Sequence, residues 1–210
     1  MASELLLLAL VAMQPDPAAL IPLYRENAAR AERLFGPADQ RSRQAQRDLA
    51  GYLARHGSRA EAVRLLRPIA ETEADLVLLA ELLPPAEAPA LLRRALAIAE
   101  REHGPASPRV ALRLNDLAVT LTPRAAEPLL RRALAINEAA LGADHAETAV
   151  TLFNLGDMLA RQNRFREAEP FAARAASVFA LKLGEENART KEAREVLAAI
   201  QRAGRSGSPR

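Results

Sequence analysis

The 210 residues contain no cysteine and no tryptophan, only seven phenylalanines and tyrosines, and only two lysines, Lys182 and Lys191. Without cysteine there is no disulfide framework, no cysteine-bound zinc or iron–sulfur cluster and no thiol nucleophile. The scarcity of aromatic rings argues against a stacking platform for single-stranded nucleic acid. Long hydrophobic runs are also missing. The one apolar run, Leu5 to Met13, is nine residues long, far below the roughly 20 needed to cross a bilayer as a helix. It has the length of a signal-peptide core, but Glu4 stands where a basic residue belongs, and no small-x-small cleavage pattern precedes Gln14-Pro15. Two readings follow for residues 1–17. One is a short helix that packs its leucines on the first repeat and stops at Pro15-Asp16-Pro17, in a cytoplasmic protein; the other is an exported chain with residues 1–14 as its signal.

What is present is helix-forming. Alanine supplies 47 residues and arginine 27, and the 29 bases against 26 acids leave a net charge of only +3. The basic isoelectric point thus reflects a small excess of arginine spread among acids, not a basic block.

Self-comparison shows repeats. LLRRALAI at Leu91–Ile98 recurs letter for letter at Leu129–Ile136, 38 residues on, and Gly104 keeps that offset to Gly142. Ala126-Glu127-Pro128 recurs as Ala168-Glu169-Pro170, and Leu141-Gly142 as Leu183-Gly184, both 42 residues on. Pro22-Leu23, Gly36, Leu49 and Leu53-Ala54-Arg55 match Pro128-Leu129, Gly142, Leu155 and Leu159-Ala160-Arg161 at an offset of 106. A fixed period of this size signals stacked supersecondary units. Leu152, Leu155 and Leu159 form one apolar stripe at helical spacing, and after a turn at Gln162-Asn163-Arg164 a partner helix carries Ala168, Phe171, Ala172, Ala175 and Val178. Gly36, Gly104, Gly142 and Gly184 each follow a partner helix, and each is expected to be the left-handed residue just past a helix end. The spacing predicts helices over about 18–35, 38–56, 58–71, 73–83, 86–103, 107–121, 124–141, 145–162, 164–183 and 187–202. Between Glu71 and Pro85 the pattern is cut short, since Gly36 and Gly104 lie sixteen residues closer than two full periods would place them. Repeats are expected over 18–203 and a disordered tail over 204–210. The last helix, with Lys191, Glu192, Arg194, Glu195 and Arg202, would be the polar cap that a terminal repeat needs.

The string from Ala126 to Pro170 resembles the tetratricopeptide repeat (TPR), specifically the 42-residue variety of kinesin light chains and their bacterial relatives. The resemblance extends to Pro22–Ala70 and Ala86–Leu121. It implies an all-α, right-handed superhelical solenoid of antiparallel helix pairs, here with one abbreviated unit.

Opposite the Leu152-Leu155-Leu159 stripe, at about 100° per residue, stand Val150, Asn154, Asp157 and Arg161. The matching positions in the first unit are Gln44, Asp48, Gly51 and Arg55, and in the third they are Leu112, Asp116 and Val119; Phe153 flanks the same face. The resemblance implies that this face lines a groove receiving an extended peptide, with Asn154 bonding its backbone. An amide suits that task because it both donates and accepts. Asp48 and Asp116 can only accept, and so would favour N–H or basic groups. On this reading Asn154 lies on the wet face, where truncation would leave stability nearly unchanged.

No catalytic constellation is legible. His56 and His103 each precede a glycine at a helix end and suit capping, and His145 begins the next helix; no pair has metal-ligand spacing. No glycine-rich phosphate loop or Gly-x-Ser-x-Gly elbow occurs. The expectation is a non-catalytic scaffold, without cofactor or metal, that binds a protein or linear peptide. The alternatives are an arginine-mediated nucleic-acid binder, whose affinity would fall steeply with salt, and a self-assembling homo-oligomeric module.

Overall fold

The computed structural model describes residues 17–206. The apolar run Leu5–Met13 and residues 207–210 lie outside that range. Among the described residues there are ten α-helices and no strand, and consecutive helices within each unit pair antiparallel as the repeats require. After a 3-10 turn at Pro17–Leu20, helices α1 (Ile21–Phe35), α2 (Gln40–His56), α3 (Arg59–Leu66) and α4 (Glu73–Leu82) belong to one compact unit, which ends at Pro84. A second unit begins at Pro85 and holds α5 (Ala88–His103), α6 (Pro108–Ala118), α7 (Pro123–Leu141), α8 (Ala146–Arg161), α9 (Phe165–Leu183) and α10 (Ala188–Ser206).

The division falls in the stretch where the repeat spacing is short. Helices α3 and α4, of 8 and 10 residues, are the shortest of the ten. Three carboxy-terminal helix ends differ from the sequence reading by three residues or more. Helix α3 stops at Leu66, just ahead of Pro68, which has no N–H to extend it. Helix α6 stops at Ala118, where tight bonds from Thr120 N to Leu117 O and Leu121 N to Ala118 O turn the chain. Helix α10 runs on to Ser206, so Gly204 and Arg205, assigned to a disordered tail, are helical.

The interhelix loops repeat one hydrogen-bond pattern. Gly36, Gly104, Gly142 and Gly184 have φ of 83°, 82°, 96° and 86° with ψ between 153° and 163°. That is not the left-handed helical well but a region open essentially to glycine alone. Each glycine carbonyl accepts from the N–H three residues on, at Asp39, Ser107, His145 and Asn187. The side chain of that residue then accepts the N–H two further on, at 2.8, 3.1, 3.1 and 2.9 Å. An aspartate, a serine, a histidine and an asparagine therefore perform the same N-cap on α2, α6, α8 and α10. His145 acts through Nδ1, the structural role expected for it. No atom lies within 4 Å of a Cβ added at Gly142, so Gly142→Ala tests backbone strain alone. A loss of about 1–3 kcal/mol is expected in thermal melts; an unchanged melt would show that this loop relaxes without cost.

Small residues set the helix separation. Ala95, Ala133 and Ala175 occupy one repeat position on α5, α7 and α9 and are completely buried. Val110, Ala111 and Leu114 share one cluster with Ala133, and Leu152, Leu155, Leu159, Ala168 and Ala172 share the next with Ala175. The outer faces are laced by ion pairs between successive units: Glu100 with Arg132 at 2.7 Å and Glu138 with Arg174 at 2.8 Å.

Candidate functional site

Helix α8 carries most of the candidate residues, and its two faces differ. Leu152, Leu155 and Leu159 are fully buried, and the opposite face is bordered by two open clefts. One, of about 120 Å³, lies between the end of α6, the start of α7 and α8; its wall includes Val119, Leu121, Pro123, Met158, Asn154, Asp157 and Arg161. The other, of about 180 Å³, lies between α8, α9 and α10 and is lined by Val150, Phe153, Asn154, Phe179, Arg189 and Glu192. Asn154 borders both. Val119 leaves 67% of its surface in solvent, an apolar side chain held at the rim of a polar-edged cleft.

The expected residues therefore fall into groups. Asn154, Asp157 and Arg161 share the first cleft, and Phe153 joins Asn154 at the second. Arg161 Nε donates to Asp157 Oδ2 at 2.8 Å, one turn apart on the same helix, so the arginine reaches outward already half neutralised. Asp116 sits on α6 and pairs with Arg113 at 3.1 Å. Asp48 and Arg55 lie on α2 in the first unit, where Asp48 accepts from Gln44 Nε2 at 2.9 Å.

Asn154 is not simply a wet-face residue. It is half-buried, and its Nδ2 donates to Asn115 Oδ1 at 3.0 Å. Asn115 is buried on α6 and donates in turn to Ala111 O and to Thr151 Oγ1, at 3.0 and 2.8 Å. Thr151 also accepts from Nδ2 of buried Asn137 on α7, at 3.1 Å. A polar chain thus runs from the core of the second unit to the floor between the clefts. It consumes one N–H of Asn154 and leaves the other N–H and Oδ1 for a ligand. The expectation that truncating Asn154 leaves stability nearly unchanged gains a cost, because loss of its bond leaves the buried Asn115 oxygen short of a donor. Asn115, Thr151 and Asn137 were missed in the sequence. A signal existed at Asn137: its repeat equivalents Ala99 and Phe179 are core residues.

The turn after α8 is locked by charge. Asn163 takes φ 60°, a conformation asparagine tolerates. Beside it, Arg164 bonds Glu127 of α7 at 2.6 Å and Glu167 at 2.7 Å. The Arg164 guanidinium, with Arg131, holds the Glu127 carboxyl below its ordinary value of 4.5. A carboxylate depressed by folding contributes stability above its unfolded pKa and loses it as pH falls through the folded one. Melting temperature should therefore fall as pH is lowered from about 5 toward about 3, and Glu127→Gln should flatten that dependence. An identical slope in the variant would show the cluster to be uncoupled from folding.

Among the described residues no group of three His, Asp or Glu side chains could hold a metal, and no helix is long and apolar enough to cross a membrane. Residues 123–180, which build α7, α8 and most of α9, match the tetratricopeptide repeat family model. The TPR fold extends beyond these residues in three dimensions. BtubC (BKLC) from P. vanneervenii superposes with a TM-score of 0.71 at 19% identity, over 91% of this chain and 85% of that one. Two crystal structures of the putative kinesin light chain of Podosopora anserina, with nearly identical TPR-like repeats, superpose with TM-scores of 0.64 and 0.63. Each is 21% identical over 78% of this chain and 87% of that one. No curated protein sequence matches the chain. The fold is therefore an all-α stack of TPR-like helix pairs, a class that generally mediates protein–protein interaction and is generally non-catalytic.

Proposed function

We propose that the chain is a non-catalytic interaction module whose second unit binds an extended segment of a partner protein across α6, α8 and α10. The observation that carries this reading is Asn154, supported from beneath by Asn115 and flanked by two clefts with apolar walls. An extended peptide alternates side chains along its length, so two apolar side chains could enter the clefts while Asn154 meets the backbone between them. Asp157, paired with Arg161, puts a carboxylate in the wall of the first cleft. Several outer arginines are engaged by carboxylates, as at Arg25–Glu61, Arg43–Glu71, Arg132–Glu100 and Arg174–Glu138. This favours a protein partner over the phosphate backbone of a nucleic acid.

Arg161→Glu combined with Val119→Asp alters the rim without touching the core. The test is capture from a cell lysate by the wild-type chain, the rim variant and an outer-face control, Arg93→Glu, with retained proteins identified by mass spectrometry. A protein kept by wild type and control but lost by the rim variant supports the groove. A protein retained equally by all three, or nucleic acid released by salt, refutes it.

A further inference from the structure

The second cleft differs from the first in holding charges that the fold leaves unengaged. At the first, Asp157 and Arg161 pair with each other at 2.8 Å, and on α6 Asp116 pairs with Arg113 at 3.1 Å. At the second, Arg189 and Glu192 stand three residues apart on α10, neighbours on one helical face. Arg189 donates its backbone N–H to Asn187 Oδ1. Among the described residues, neither its guanidinium nor the Glu192 carboxylate has a hydrogen bond or ion pair. Other charges near the start of α10 are engaged: Lys191 pairs with Glu186 at 2.7 Å, and Arg194 pairs with Glu185.

The repeat register shows that packing does not call for these charges. Glu192 stands 42 residues after Val150, which itself follows Leu112 by 38. Leu112 and Val150 are half-buried apolar side chains, and Val150 lines the same cleft. Helix α10 therefore sets a carboxylate where the two preceding units have hydrocarbon, and both Glu192 and Arg189 are exposed. Behind them the cleft is apolar. Phe179 is only 2% exposed and Phe153 and Val150 are half-buried, a surface on which an aromatic ring packs well. The volume of about 180 Å³ has room for a single ring.

A side chain that fits this cleft is apolar along its body and ends in a group that donates to a carboxylate and accepts from a guanidinium. Phenylalanine and leucine match the walls but cover both charges without bonding them, which costs free energy. Lysine and arginine only donate, and meet Arg189 with like charge; aspartate and glutamate only accept, and meet Glu192 with like charge. Tryptophan donates but does not accept. The phenol of tyrosine does both, at the end of a ring. We propose that the second cleft is a tyrosine subsite, a reading that rests on the groove of α6, α8 and α10. The ring packs on Phe153 and Phe179, the hydroxyl donates to Glu192 and accepts from Arg189, and Asn154 meets the peptide backbone alongside.

The test is selection of a displayed library of random peptides on the full chain, followed by binding of one selected peptide made synthetically. Tyrosine should be enriched at one position. The same peptide with phenylalanine there should bind about tenfold more weakly, the loss expected for hydrogen bonds to charged groups. In Arg189→Ala with Glu192→Ala the two peptides should bind alike, whereas Lys191→Ala with Arg194→Ala should keep the tenfold difference. All four side chains are exposed, so both variants should melt close to wild type. Peptides selected without a tyrosine preference, or a preference that the Arg189 and Glu192 variant retains, overturn the subsite and leave the groove standing. A library from which no peptide is retained overturns the groove and the subsite with it.

Discussion

Leu155→Ala is expected to remove about 2–5 kcal/mol of stability, the range for deleting a fully buried leucine from a close-packed core. Leu155 has no solvent exposure and sits among Leu152, Leu159, Ala168 and Ala172. Those neighbours belong to helices anchored on both sides, so collapse into the void is limited and the upper half of the range is favoured. For a chain of this length each kcal/mol is worth about 2–4 °C, so the melting temperature should fall by at least several degrees. Asn154→Ala supplies the comparison. It loses one half-buried hydrogen bond, worth about 1 kcal/mol, and should cost clearly less than Leu155→Ala. A reversed order would place Asn154 in the core and remove it from the groove.

The second large effect is steric. Gly156 lies on α8 where α9 crosses it, and a Cβ added there would stand 3.1 Å from Ala172 N and 3.3 Å from Ala172 Cβ. Replacing a mid-helix glycine by alanine gains about 1 kcal/mol of helix propensity, while the 3.1 Å approach to backbone requires the helices to part by a few tenths of an ångström. These terms nearly cancel, so Gly156→Ala should lie within about 1 kcal/mol of wild type. Leucine brings three more carbons to the same contact, and overpacking of that kind costs about 1–3 kcal/mol or more. Gly156→Leu should therefore lower the melting temperature by several degrees. It should also weaken partner capture, since shifting α8 displaces Asn154 relative to α6 and α10. A melt at or above wild type would show that α8 and α9 can separate freely.

These effects bear on how much was readable in one dimension. Gly36, Gly104, Gly142 and Gly184 keep their register because a positive-φ backbone excludes nearly every other residue, so the loops announce themselves as letters. The caps are less visible: Asp39, Ser107, His145 and Asn187 do the same work with four chemistries, and only geometry equates them. The Leu152-Leu155-Leu159 stripe is legible because burial on a helix enforces a period. Asn115 is not, since its neighbours Thr151 and Asn154 are supplied by another helix, and side chains 36 and 39 residues apart carry no shared period.

The all-α class, the helix pairs and the abbreviated stretch before Pro85 all follow from periodicity, because helical burial and glycine-only turns are local constraints written into spacing. The depth at which Asn154 sits, the Arg161–Asp157 and Arg113–Asp116 pairs and the two clefts beside α8 depend on which helices meet. They emerge only when distant segments pack, since a hydrogen bond or a cavity is a property of two surfaces and no single stretch of chain specifies both.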